Sequence, residues 1–187
     1  SQGGLGPRSE VNASTGYYPY PQLLNPPINN NITRRLQVKA ADINPATNAG
    51  ASYFVEGHYV AWDDAQANNH HNNASYRAVT VSNNANFSIT TQGQTFREES
   101  AIQAWAVADP TVTLSEVIID SGKFILGTRV EDLGNGLWQY EYALYNMNSD
   151  RSAGSFSLPT GNNLVVQGLG FHDVDYHSFE PWSGTDW

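Results

Sequence analysis

The chain has 187 residues, a net charge of −9 with His neutral, and only 14% charged residues. It contains no Cys, which excludes disulfide frameworks, Cys-ligated zinc, iron–sulfur clusters and thiol nucleophiles. Its only lysines are Lys39 and Lys123, and its only adjacent basic pair is Arg34-Arg35. It therefore lacks the clustered cations that bind phosphate backbones or anionic membranes, and nucleic acid is not an expected partner.

The polarity comes instead from 19 Asn, 16 Ser and 12 Thr, set beside ten Tyr, seven Phe and five Trp. This composition leans towards a secreted or cell-surface β-protein. A chain of this length fits one domain that buries roughly 70% of its unfolded surface. No run approaches the ~18 apolar residues of a membrane span.

Residues 1–33 read as an extended arm. Tyr17-Tyr18-Pro19-Tyr20-Pro21 and Pro26-Pro27 favour extended backbone without ladder donors. The tyrosines and Leu23-Leu24 predict that the arm packs along a surface, its own or a partner's.

Residues 34–187 read as a single β-sandwich domain, incomplete at its C-terminal end. Leu36, Val38 and Ala40 alternate with polar neighbours, as in a strand. Tyr53 to Val60, Tyr76 to Val81, Phe87 to Thr91 and Val112 to Ile119 are further predicted strands. Trp62 to Asn73, rich in Asp and Asn, reads as a loop. Glu98 to Ala108 is the one predicted helix, stopped by Asp109-Pro110.

A hairpin follows. Phe124, Leu126, Thr128 and Val130 share one strand face, Leu133-Gly134-Asn135-Gly136 turns the chain, and Trp138, Tyr140, Tyr142 and Leu144 line the return. A second hairpin is predicted from Ser155–Leu158 and Leu164–Val166 around Pro159-Thr160-Gly161. About eight short strands with frequent turn signals predict an all-β chain, an antiparallel sandwich of the immunoglobulin-like or jelly-roll-like kind. One short helix and the N-terminal arm complete it.

The sharpest cluster of chemistry-bearing residues is Phe171-His172-Asp173-Val174-Asp175-Tyr176-His177. If extended, Asp173, Asp175 and His177 share one face, where two carboxylates and an imidazole suit a divalent cation. Oxygen ligands favour Ca²⁺, and His admits Zn²⁺ or Mn²⁺. His172 is a further candidate ligand, and Glu180 and Asp186 are near in sequence. The plainer alternative is a polar segment leaving the sheet, with Asp side chains capping turns.

His58, two residues from Glu56 on a predicted strand, is the remaining candidate ligand. With His70-His71 it also fits an ordinary solvated loop beside a strand, the stronger reading for an adjacent His pair. Glu141 with Glu131 or Asp132 is the carboxylate pair a glycosidase would need. Most such acids on sheet faces do nothing catalytic, and no nucleophile elbow or phosphate loop is present. Trp138, Tyr140 and Tyr142 suit a core or interface stripe better than a sugar platform, for which Trp182 and Trp187 are candidates.

Several stretches carry a resemblance. Ser1 to Asn12, Tyr53 to Gly57 with Asn73 to Arg77, Tyr140 to Asn146 and Gly170 to His177 resemble segments of long, secreted, β-rich bacterial proteins of unknown function. The resemblance spans most of the chain. It implies a piece of a longer product whose sheet edge is completed by another chain or a lost segment. The resembling segments carry Gln or Asn where this chain has His58 and His70-His71.

The expected function is a secreted structural, assembly or surface-interaction module, with a structural cation as an option. Partners would be other protein chains, either flanking segments of the same precursor or further copies. A metal-dependent enzyme using the Asp/His cluster and a carbohydrate-binding module are the alternatives.

Overall fold

The computed structural model describes residues 11–19, 38–162 and 164–172. The chain is mostly β, built from two antiparallel sheets with a few short helices. Among the described residues, no helix is long and apolar enough to cross a membrane.

The helices are α1 (Ala40–Ile43), α2 (Trp62–Gln66) and α3 (Gln103–Ala108). The strands are β1 (Tyr53–His58), β2 (Ala74–Val81), β3 (Ile89–Thr91), β4 (Phe96–Arg97), β5 (Thr113–Ile119), β6 (Gly122–Gly134) and β7 (Leu137–Asn146).

Three local expectations are corrected. Of the strand expected through Leu36, Val38 and Ala40, Leu36 lies outside the described residues and Ala40 instead opens the single turn α1, ended by extended Asn44 before Pro45. The Asn44 carboxamide oxygen accepts the Ala46 N–H at 3.0 Å, closing the turn locally. The loop expected from Trp62 begins with one helical turn, α2, whose first turn carries Asp63 and Asp64 where the helix dipole favours acids. The predicted helix starts later than Glu98, because that residue has φ 63° and cannot be helical. It does end at Asp109, in extended geometry ahead of Pro110.

A fourth correction concerns the second hairpin. Ser155–Leu158 and Leu164–Val166 form no strands. Leu164, Val165 and Val166 are 68, 81 and 61% exposed, so β-forming side chains alone do not make a strand without a ladder partner.

In the first sheet β2 is central. β1 pairs along one edge, and β3 and β4 share the other. Residues opposite one another in a ladder share a face, so Phe54, Glu56 and His58 lie beside Tyr76, Ala74 and Phe96. Tyr76 is the anchor: its ring stacks on Phe96 at 4.9 Å and meets Phe54 edge-on at 5.9 Å.

The second sheet is a β5–β6–β7 meander. The β6–β7 turn falls at Asn135-Gly136, with φ 55° and 76°, as the sequence predicts. The inner face of the meander carries Lys123, Ile125, Gly127 and Arg129 of β6 with Glu141, Ala143 and Tyr145 of β7. The Trp105 ring of α3 lies against Gly127, where an added Cβ would stand 2.8 Å from it. Gly127→Ala should therefore force the indole aside and cost about 1–3 kcal/mol in a urea melt.

Residues 11–19 reach this framework near α2. Ser14 and Gly16 are buried, and a Cβ on Gly16 would meet the Ala61 and Trp62 backbones at 2.5 Å. The rest of the 1–33 arm lies outside the described residues.

Candidate functional site

The inner faces of the two sheets meet through polar groups. The Glu56 carboxylate on β1 accepts the Ala101 N–H at 2.6 Å ahead of α3. Its other oxygen accepts a short hydrogen bond from the Tyr145 hydroxyl of β7. Burial and the Glu56 carboxylate together push the Tyr145 phenol well above its ordinary range. Glu56 thus works as a strut between layers.

A second tie involves Asn148, buried at 2% exposure just after β7. Its carbonyl oxygen accepts the Lys123 N–H at 2.8 Å. Its amide group donates to the His70 carbonyl at 2.9 Å and lies 3.2 Å from His71 Nδ1. The His70 and His71 rings sit 4.0 Å apart between centroids.

The carboxylates considered for hydrolysis divide between faces. Asp132 is opposite Trp138 and Glu141 is opposite Arg129, so Asp132 and Glu141 point to opposite sides of the sheet. Asp132 accepts the Gly134 N–H at 2.8 Å in the turn. Glu131 and Glu141 do share a face, but Arg129 stands with them, at 2.8 and 3.2 Å, and also grips Asp109 at 2.7 Å. Bonds from the Thr111 hydroxyl and N–H, aided by Arg129, hold Asp109 below the usual carboxylate range. A general acid needs the opposite shift. This cluster reads as an ion-pair network.

Asp173, Asp175 and His177 lie outside the described residues, as do Glu180, Trp182, Asp186 and Trp187. His172 is exposed. His58 shares the inner face with Glu56, and burial lowers its pKa while Glu56 opposes the shift. Its Nε2 is buried without a hydrogen-bond partner among the described residues. No group of three His, Asp or Glu side chains among those residues is arranged to hold a metal ion.

The outer face of the meander is the most unusual surface. Register places Val117 and Ile119 of β5, Phe124, Leu126 and Val130 of β6, and Trp138, Tyr140, Tyr142 and Leu144 of β7 together on it. The stripe of aromatics expected to fill the core therefore points away from the other sheet. Trp138 and Tyr140 are 54 and 56% exposed. Tyr140 and Tyr142 lie nearly parallel, with centroids 6.5 Å apart.

Residues after β7 cover part of this face. Arg151, Ser152 and Ala153 stand with Val117, Ile119, Phe124 and Leu144 around an open cavity of about 320 Å³. Phe156 tilts onto Tyr142 at 5.3 Å. Phe124 is buried, while Val117, Ile119, Val130 and Leu144 stay more than 40% exposed.

No family model, curated protein or solved structure matches this chain.

The alternation at 138–144 announces this face, although periodicity cannot say which side of a sheet meets the core. Tyr145 and Asn148 were not anticipated, and only the lone Gly127 inside a strand hinted at close approach on the inner side.

Proposed function

We propose that the chain is a secreted, non-catalytic assembly module that pairs with a second copy of itself through the outer face of the β5–β6–β7 sheet. One observation carries this reading. A sheet with a solvated face normally alternates apolar and polar residues, yet this meander is largely apolar outward, where Thr113, Ser115, Thr128, Asp132 and Asn146 flank the apolar side chains, as well as partly apolar inward. Contiguous exposed apolar surface of this size marks an interaction site.

Area supports a second copy as the occupant. The exposed fractions of Val117, Ile119, Val130, Trp138, Tyr140, Leu144 and Phe156 sum to roughly 700 Å², near the ~800 Å² per partner of a stable interface. A two-fold contact needs only this one self-complementary patch. The cysteine-free, Asn- and aromatic-rich composition supports export.

Light scattering at graded concentrations tests the reading. The intact chain should give twice its 20.5 kDa mass, and the double variant Trp138→Ser/Tyr140→Ser should give the monomer at tenfold higher concentration. A monomeric parent at all concentrations would assign the face to some other occupant.

Exposed Trp138 and Tyr140, with half-buried Tyr142 beside them, also favour a second reading, stacking on a carbohydrate. Aliphatic Val117, Ile119, Val130 and Leu144 around it suit protein better than sugar hydroxyls. Glycan-array binding by the parent, lost in Trp138→Ala, would reverse the order of the two readings.

A further inference from the structure

We infer that the contact between His71 and Asn148 is an acid-released latch that frees the loop after α2 from the second sheet. The argument rests on which groups donate and which accept.

The orientation of the Asn148 carboxamide is determined twice. The Lys123 N–H needs an acceptor, so the amide oxygen must face it at 2.8 Å. The His70 carbonyl needs a donor, so the amide nitrogen must face it at 2.9 Å. Turning the group over would set donor against donor and acceptor against acceptor at 2% exposure.

With that orientation settled, the amide nitrogen 3.2 Å from His71 Nδ1 is a donor. It therefore requires a lone pair on Nδ1, which places the proton of neutral His71 on Nε2. Protonation puts the ring's second hydrogen on Nδ1, facing an N–H. The contact and the imidazolium exclude each other.

The surroundings act in the same sense. The His70 ring is 4.0 Å away, and the Lys123 ammonium is a cation on the neighbouring β6. Among the described residues Glu116 of β5 is the opposing charge, already paired with Lys123 at 2.5 Å. Burial, then His70 and Lys123, lower the His71 pKa despite Glu116. A depressed histidine gives stability that is full above its unfolded value of about 6.5 and is lost as pH falls towards the folded one. Release would carry the His70 carbonyl with it and uncouple residues 67–73 from the end of β7.

Hydrogen exchange of the full chain between pH 7.5 and 4.5, corrected for intrinsic rates, tests the latch. Opening of residues 70–73 and 147–149 should increase as pH falls below about 6.5, by at most about tenfold per pH unit, and level off below the folded His71 value, with no more than one proton taken up per opening. His71→Gln supplies an acceptor that does not titrate, and its profile should be flat. His70→Gln and His58→Gln should keep the slope. A flat parent profile would overturn the proposal. So would a slope that survives in His71→Gln, or one that His70→Gln or His58→Gln abolishes.

Discussion

Gly122→Ala should lower the unfolding free energy by about 4 kcal/mol, combining backbone strain and overpacking of about 2 kcal/mol each. Gly122 begins β6 at φ 142°, a region that side-chain-bearing residues rarely enter. An added Cβ would also stand 2.6 Å from the Ser149 N and Cα, and backbone there cannot yield as a side chain can. Ser149 follows Asn148, so the strain would fall on the segment that ties the sheets together. Gly136→Ala is the comparison: its φ is 76° with nothing near the new methyl, so only the conformational cost, about 1 kcal/mol, remains. Urea unfolding followed by tryptophan fluorescence separates the two. Equal losses would mean that the contact with Ser149 is not the constraint.

Glu56→Ala should cost about 3 kcal/mol, because it strands the Ala101 N–H and the Tyr145 hydroxyl together. Tyr145→Phe removes only one of those bonds and should cost about half as much. The pair also predicts an alkaline limb. Tyr145 has a folded pKa above its unfolded value of about 10, so its contribution is complete below pH 10 and is lost as pH rises through the folded value. Phenylalanine does not titrate, and Tyr145→Phe should make the limb shallower, leaving the part from buried Tyr76, whose phenol burial also pushes up. Stability measured from pH 8 to 11 in both proteins checks this. An identical decline in the variant would place the alkaline sensitivity elsewhere.

The elements that read correctly from sequence are those whose signals are local. Asn135-Gly136 between two alternating runs specifies the β6–β7 hairpin, and Asp109-Pro110 stops α3. The runs Tyr53 to Val60 and Tyr76 to Val81 are rich enough in β-formers to be recognised alone, and they fall on β1 (Tyr53–His58) and β2 (Ala74–Val81). What escaped was decided at long range. Glu56 meets Ala101 and Tyr145 across 45 and 89 residues, and nothing local in any of the three announces the others. Leu164-Val165-Val166 has strand chemistry but no ladder, because pairing belongs to two segments and not one. The Trp138-Tyr140-Tyr142 alternation puts three rings on one face, while Trp105, distant in sequence, lies against Gly127 on the other.

The connectivity of the meander has a kinetic consequence. β5, β6 and β7 are sequential neighbours joined at Asp120-Ser121 and Asn135-Gly136, so each pairing closes a very short loop. Little chain entropy opposes those closures, whereas the ties to the first sheet close loops of 89 and 78 residues. The meander should therefore form early in refolding, before the first sheet docks, and exchange last as a cooperative unit of its own. In that interval its aromatic outer face meets solvent beside other newly folded copies. Refolding yield should then fall with protein concentration, well before the finished chain shows any tendency to precipitate.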